Sequence, residues 1–355
     1  MYILLNKELV VIAPIEAYES AIWSERHREY GDFELYGRPE ALLGQGVSTG
    51  CFISRQGSDR IMFVENLKLD TDTDEGPYMT VTGRSLEAML LRRVLWPPVS
   101  INGTIESGIR YLLDTTVVNP SDSRRRIPNF IVDIPSDEFI SETKLSAQFA
   151  GETVYDAIVA ICEVYDLGFK IVYSDGNFVF ILYRGTDRSF NQDENPYVIF
   201  SPEFDNIVSS SYSHGVDSLA TFAYVAGEED EDSSRLTAEV DLGLTGLDRI
   251  ELFVDASDIR GTDENGDAIP EDDYASYLEE RGLETLSENS ATEFFEGSMD
   301  TNGTYAYGRD FFLGDTVQIQ NEFGIGASSQ VLEIVYTKDS TGETIVPTFA
   351  TPTLN

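Results

Sequence analysis

From residue 9 to residue 82 the chain repeats one pattern: a short segment alternating apolar and polar residues, then a reversal, usually marked by glycine. Alternation with period two gives each segment one core face and one wet face, so the stretch reads as a strand meander. The segments are 9–15, 17–26, 32–36, 51–55, 61–69 and 78–82; the reversals include Gly31-Asp32, Gly37-Arg38-Pro39, Gly44-Gln45-Gly46 and Gly57-Ser58-Asp59. Glycine supplies positive φ there and proline a fixed φ. A small antiparallel barrel or sandwich is expected. At 84–95 the spacing becomes helical, with Leu86, Met89, Leu90 and Arg93 on successive turns, and Trp96-Pro97-Pro98 ends it.

The pattern then changes. Thr104 is placed to cap a helix carrying Ile105, Ile109, Leu112 and Leu113 on one face, with Glu106 in its first turn. A basic turn-rich stretch, 121–128, precedes a second helix at 151–166 and a hairpin pairing 169–173 with 178–183. Strands resume at 198–200, 207–212, 219–225, 236–240 and 249–254; a helix at 271–289 carries Gly282, which costs it about 1 kcal/mol. Strands close the chain at 315–320, 330–337 and 344–349, and Gly324-Ile325-Gly326 reads as a hairpin turn. The expected fold is β-rich α+β: two small antiparallel β-barrel domains, an α+β middle region and a helical insertion. The domains are placed at 1–98 (barrel with terminal helix), 99–196 (α+β) and 197–355 (second barrel, with the insertion near 256–295). A chain of 355 residues is long enough for such cores.

Charge narrows the function. Sixty-three acidic residues against 24 basic ones give a net charge of −39, which opposes any sequence-independent grip on phosphates. A solvated, salt-adapted surface would carry the same excess. No run of about 18 apolar residues is present, so no membrane insertion is expected. The opening Met1-Tyr2-Ile3-Leu4-Leu5 lacks the basic start of a secretory signal, so folding is expected in a cytoplasm.

Chemical motifs are sparse. Cys51 and Cys162 are far apart and outside any metal spacing, and His27 and His214 are the only histidines, which removes most zinc enzymes. Asp70, Asp72 and Asp74 open like a calcium loop, but its sixth and twelfth positions are Glu75 and Val81; Asp263, Asn265 and Asp267 fail likewise at Ala268 and Tyr274. Solvated acidic turns are expected in both places. No dinucleotide fingerprint or phosphate loop is present. Arg124-Arg125-Arg126 and Arg92-Arg93 with Trp96 are read as partners for acids within the protein or on another subunit. Tyr305, Tyr307, Phe311 and Phe312 could cover a barrel end, line a sugar site or form a subunit contact. No catalytic residue, cofactor or metal is therefore nominated. The rival readings are a polysaccharide or peptidoglycan hydrolase, needing paired carboxylates, and a carbohydrate-binding module.

Four segments in order carry a family likeness. They are a turn with Gly31, Asp32 and Phe33; a strand broken at Gly83 into a helix, with Arg84 and Arg93; Gly185 and Asp187, followed by Phe200 and Asn206; and Leu313-Gly314-Asp315 before the closing strands. Together they resemble the siphophage tail hub family, itself similar in fold to the central baseplate hub of myophages. The resemblance implies a non-enzymatic homotrimer in the virion tail, assembled in the host cytoplasm, whose barrels form a ring. That ring would join the distal tail protein to spike or fibre proteins, pass the tape-measure protein, and let DNA through without specific binding. The chain ends soon after its last strand, so host recognition and lysis are expected on other chains.

Overall fold

The computed structural model of the chain describes residues 1–72, 76–204, 206–229, 234–262, 267–299, 304–320 and 326–350. It is a β-rich α+β protein that divides into two compact units of interleaved segments. The first comprises Met1–Ala88, Gly168–Ser213 and 294–350; the second comprises Met89–Leu167 and His214–Glu293.

In the first unit the two ends of the chain share one sheet. Ser20–Arg26 pairs antiparallel with Gly326–Asp339, setting Trp23 opposite Tyr336, and Asp32–Gly37, Gly76–Arg84 and Asn66–Asp72 follow on one side. Gly342–Ala350 continues it on the other, and Thr316–Gln320 adds to it, with Ile199–Phe200 parallel. A second sheet orders Val11–Ile15, Tyr2–Leu5, Phe52–Arg55 and Ile61–Phe63. The alternation foreseen in Asp32–Gly37 holds: Phe33 and Leu35 are buried and Glu34 is exposed. One core gathers Trp23, Phe33, Leu35, Leu4, Ile53 and Met62; another gathers Phe200, Phe311, Val317, Val331 and Phe349.

Several expectations are corrected. Residues expected to form turns at 37–46 include a helix, Pro39–Gly44, where Pro39 presets φ in the first turn and Leu42 is fully buried; Gly44-Gln45-Gly46 ends that helix and is no hairpin turn. The single strand expected at 61–69 is two, because the chain changes sheets there: the Val64 N–H bonds to Cys51 O and the Glu65 N–H to Thr82 O. Asp70 and Asp72, expected in an acidic turn, lie in a strand, since Asn66–Asp72 pairs regularly with Gly76–Arg84; Asp74 lies outside the described residues. The helix expected at 84–95 is a 3₁₀ stretch, Leu86–Arg92, in which Leu86, Glu87, Ala88, Met89 and Leu90 are all buried. An α-helical stripe needs a wet face, and this stretch has almost none. The Gly168–Ser174 and Asn177–Tyr183 hairpin forms as expected, turning through Asp175 and Gly176, both at positive φ.

In the second unit Thr104 caps Ile105–Leu113 as read, and a second capping box, Thr153 with Asp156, starts Val154–Val164. Val99–Thr104 pairs with Lys144–Phe149, two strands the sequence did not announce. A three-stranded sheet, Arg235–Asp241, Phe222–Glu229 and Glu251–Asp255, is covered by the Glu271–Glu288 helix. Gly282 lies against this sheet. A Cβ there would sit 2.5 Å from Val240 and 2.9 Å from Val225, so the glycine that weakens the helix lets it approach.

Candidate functional site

The likeness-bearing residues fall into two groups in the first unit, with Arg93 apart in the second. In one group glycines permit backbone contact. A Cβ at Gly31 would lie 2.2 Å from Ser24 O, and one at Gly83 1.6 Å from Phe63 O and 2.9 Å from Phe33. The Gly31 N–H donates to Ser85 Oγ at 2.7 Å. Asp32 accepts from Arg26 at 2.7 Å, and Arg84 forks onto Glu65 at 2.7 and 2.9 Å beneath Tyr30. That bond to Glu65 raises the Arg84 guanidinium above its ordinary value.

The second group joins distant stretches of chain. A Cβ at Gly185 would lie 1.8 Å from Gly314 O. Buried Asp315 accepts from Thr186 N at 2.8 Å, Arg188 Nε at 2.7 Å and Phe312 N at 3.0 Å. Asp187 accepts from the Ser189 N–H at 2.8 Å and bridges to Thr316. Asn206 accepts from Ser201 N at 2.9 Å and donates to Ile199 O at 2.6 Å, fixing the strand that carries Phe200. Leu313 is buried in the same core as Phe200 and Phe311. Arg93 donates to Arg125 O at 2.6 Å.

Beside the second group lies a cleft of about 570 Å³ lined by Glu25, Arg60, Lys170, Tyr183, Tyr307 and Asp315, among others. Its polar network was not legible in the sequence. Glu25 accepts from Trp23 Nε1 at 2.9 Å, Ser58 Oγ at 2.5 Å and Tyr307 OH at 3.3 Å. Fully buried Glu87 pairs with Arg60 and accepts the Ile171 N–H at 2.9 Å. Burial would raise the Asp59 carboxyl, but Arg60 and the bonded Lys170 hold it below its usual range. His27 sits between Gly168 and Gly314, where a Cβ on either would press within 2.3 Å of its ring, and Nδ1 lies 3.2 Å from Tyr183 OH. Burial first, then Arg28 and Arg60, push its pKa well down, so it stays neutral.

Glu25 and Asp315 are fully engaged, while Glu87 is held through Oε1 and its buried Oε2 has no hydrogen-bond partner among the described residues. A glycosidase acid needs a face free for substrate, whereas Glu25 and Asp315 each take three donors from the protein. Among the described residues no group of three His, Cys, Asp or Glu could hold a metal, and Asp263 and Asn265 lie outside them. Cys51 and Cys162 are free and buried. Arg124 pairs with Asp122 within the chain, as read, while Arg125 donates to Val94 O and Trp96 O. Of the aromatic group, Phe311 is core, with Tyr305 and Tyr307 packed against that core, and only Phe312 is exposed.

The family model described as Siphovirus ReqiPepy6 Gp37-like protein matches residues 1–350. No curated protein matches the sequence significantly. Among solved structures, the prophage MuSo2 43 kDa tail protein from Shewanella oneidensis aligns with a TM-score of 0.57 at 12% identity, covering 99% of this chain and 98% of that one. A tail protein from Neisseria meningitidis MC58 gives 0.56 at 13% identity (98% and 96% covered). Prophage tail protein gp18 from Listeria monocytogenes EGD-e gives 0.55 at 12% (98% and 94%). At such identities the likeness establishes a common fold over the length of the chain.

Proposed function

The chain belongs to the Siphovirus ReqiPepy6 Gp37-like protein family, and from that premise we propose that it is a structural hub of a phage tail tip. The observation that carries this reading is the family match over residues 1–350; the end-to-end fold likeness to three prophage tail proteins supports it. The hub is a homotrimer whose β-rich parts form a ring. That ring joins the distal tail protein to the spike or fibre proteins and surrounds the path of the tape-measure protein and DNA. The thirteen likeness-bearing residues act as its structural ties: glycines let backbones touch, and Asp315 and Asn206 bind strands together.

The charge of −39 then has a task. An acidic lumen repels phosphates, so DNA slides through without the counterion release that would hold it on a basic wall. The role is non-enzymatic, consistent with Glu25 and Asp315 being engaged by the protein's own donors beside the cleft. Removing the gene tests it: particles without completed tails are expected, and purified protein should leave host cell wall uncleared in a zymogram. Complete, infectious tails in the deletion strain, or a cleared zone, would overturn the proposal.

A further inference from the structure

The three-stranded sheet of the second unit is covered on one face and open on the other. Its central strand turns Ala223 and Val225 into the core beneath the Glu271–Glu288 helix, so Phe222, Tyr224 and Ala226 face the opposite way. Register builds three cross-strand rows on that open face: Asp241, Phe222 and Glu251; Glu239, Tyr224 and Phe253; Thr237, Ala226 and Asp255.

The outer rows each hold an arginine of this chain. Arg249 stacks 3.7 Å over the Phe222 ring while bonding to Asp241 and Glu251, both at 2.8 Å, and Phe222 is left only 5% exposed. Arg235 donates to Ala226 O at 2.8 Å, pairs with Asp255, and leaves Ala226 buried. The middle row has the aromatic and acidic ingredients of the Phe222 row without the cation. Tyr224 and Phe253 lie nearly parallel with ring centroids 6.4 Å apart and are 40% and 60% exposed. Glu239 beside them is exposed and has no cationic partner among the described residues.

We propose that this middle row docks an arginine presented by a partner protein, its guanidinium stacked on Tyr224 and Phe253 and bonded to Glu239. The Phe222 row shows this chemistry performed by the chain's own Arg249, stacked on a ring and bonded to two carboxylates. A planar guanidinium both stacks and forks, which an ammonium does not. Charge complementarity selects the class of partner: a chain at −39, with Glu239, Asp241, Glu251 and Asp255 around the rings, attracts a basic segment and repels nucleic acid and anionic membrane. The adjoining loop, 242–250, adds apolar area, with Leu247 99% exposed. This surface is distinct from the cleft, and the inference does not depend on the tail assignment.

The test is calorimetric titration of the full chain with a five-residue Thr-Arg-Thr-Arg-Thr amide and with its citrulline twin, which keeps the shape and loses the charge. The arginine peptide is expected to bind at least about tenfold more tightly than the twin. Tyr224→Ala, Phe253→Ala and Glu239→Gln should each weaken it by roughly five- to tenfold, and Tyr224→Phe should preserve it. Because Glu239 is exposed, Glu239→Gln leaves the core intact and carries the test even where an alanine variant misfolds. No binding to the wild type, equal affinity for both peptides, or an unchanged affinity in Glu239→Gln would overturn the proposal. So would competition for the site by a 20-base-pair duplex or by anionic vesicles.

Discussion

Glu87 and Glu280 are both glutamates drawn away from water, one in each unit, and their surroundings treat them in opposite ways. Glu87 has the Arg60 guanidinium against it and the Ile171 N–H at 2.9 Å. Glu280 receives a neutral donor, the Tyr165 hydroxyl at 3.0 Å, and has Glu284 one turn away. Burial pushes its carboxyl up to about 7, with the Tyr165 bond opposing and the Glu284 charge adding to the rise. Arg281 nearby is committed to Asp258 at 3.0 and 2.8 Å and to Glu284 at 3.3 Å. The first unit thus pairs a buried acid with a buried cation; the second seats a helix beside acids whose carboxyls burial raises. One charge excess serves permanence in one region and leaves the other tunable.

The largest expected effect breaks the tie. Glu87→Ala leaves the buried Arg60 charge with only Asp59, at 3.8 Å, and should cost about 3 kcal/mol in urea unfolding, whereas Glu87→Gln, which keeps an acceptor for the Ile171 N–H, should cost less. Equal losses would mean that charge pairing is not what holds this region.

The second prediction sharpens the contrast through pH. The folded value of about 7 at Glu280 exceeds the ordinary 4.5, so the folded state keeps a proton that the unfolded chain releases; the stability this provides is full below 4.5 and lost as pH rises through 7. Glu280→Gln should therefore match the wild type at pH 4 and exceed it by up to roughly 3 kcal/mol at pH 8, read from paired urea titrations. His27 has the opposite sign. Its folded value lies below 6.5, so only the unfolded chain takes up the proton and stability falls as pH drops below 6.5. His27→Gln should remove the loss seen as pH drops below 6.5, and Glu280→Gln the loss seen as pH rises from 4.5 through 7.

The smallest effect concerns a half-exposed tie. Arg84→Ala removes the fork onto Glu65 and should cost no more than about 1 kcal/mol in the same assay, less in high salt.

How much of this was legible in the sequence follows from the range of the forces. The Ile105–Leu113 and Val154–Val164 helices and the 168–183 hairpin were readable because their periods, caps and turn residues act within a few positions. The strand split at Val64-Glu65 was not, because the two halves pair with different sheets, and nothing local records that. Nor was the reason for Gly282, which answers to valines some forty to sixty positions away. The same holds for the site. Gly185 and Gly314 carried a recognisable pattern, yet their contact with each other, and His27 between Gly168 and Gly314, exist only once the chain ends share a sheet. Glu25, Glu87, Arg60 and Lys170 had no local signal at all, since their partners come from four separate stretches of chain.

A reconstruction of the intact tail at a resolution that traces this chain tests the hub assignment. Three copies are expected around the tail axis at the distal end, enclosing a channel whose wall is acidic. A copy number without threefold order, a position away from the tail tip, or a neutral or basic wall would contradict that assignment.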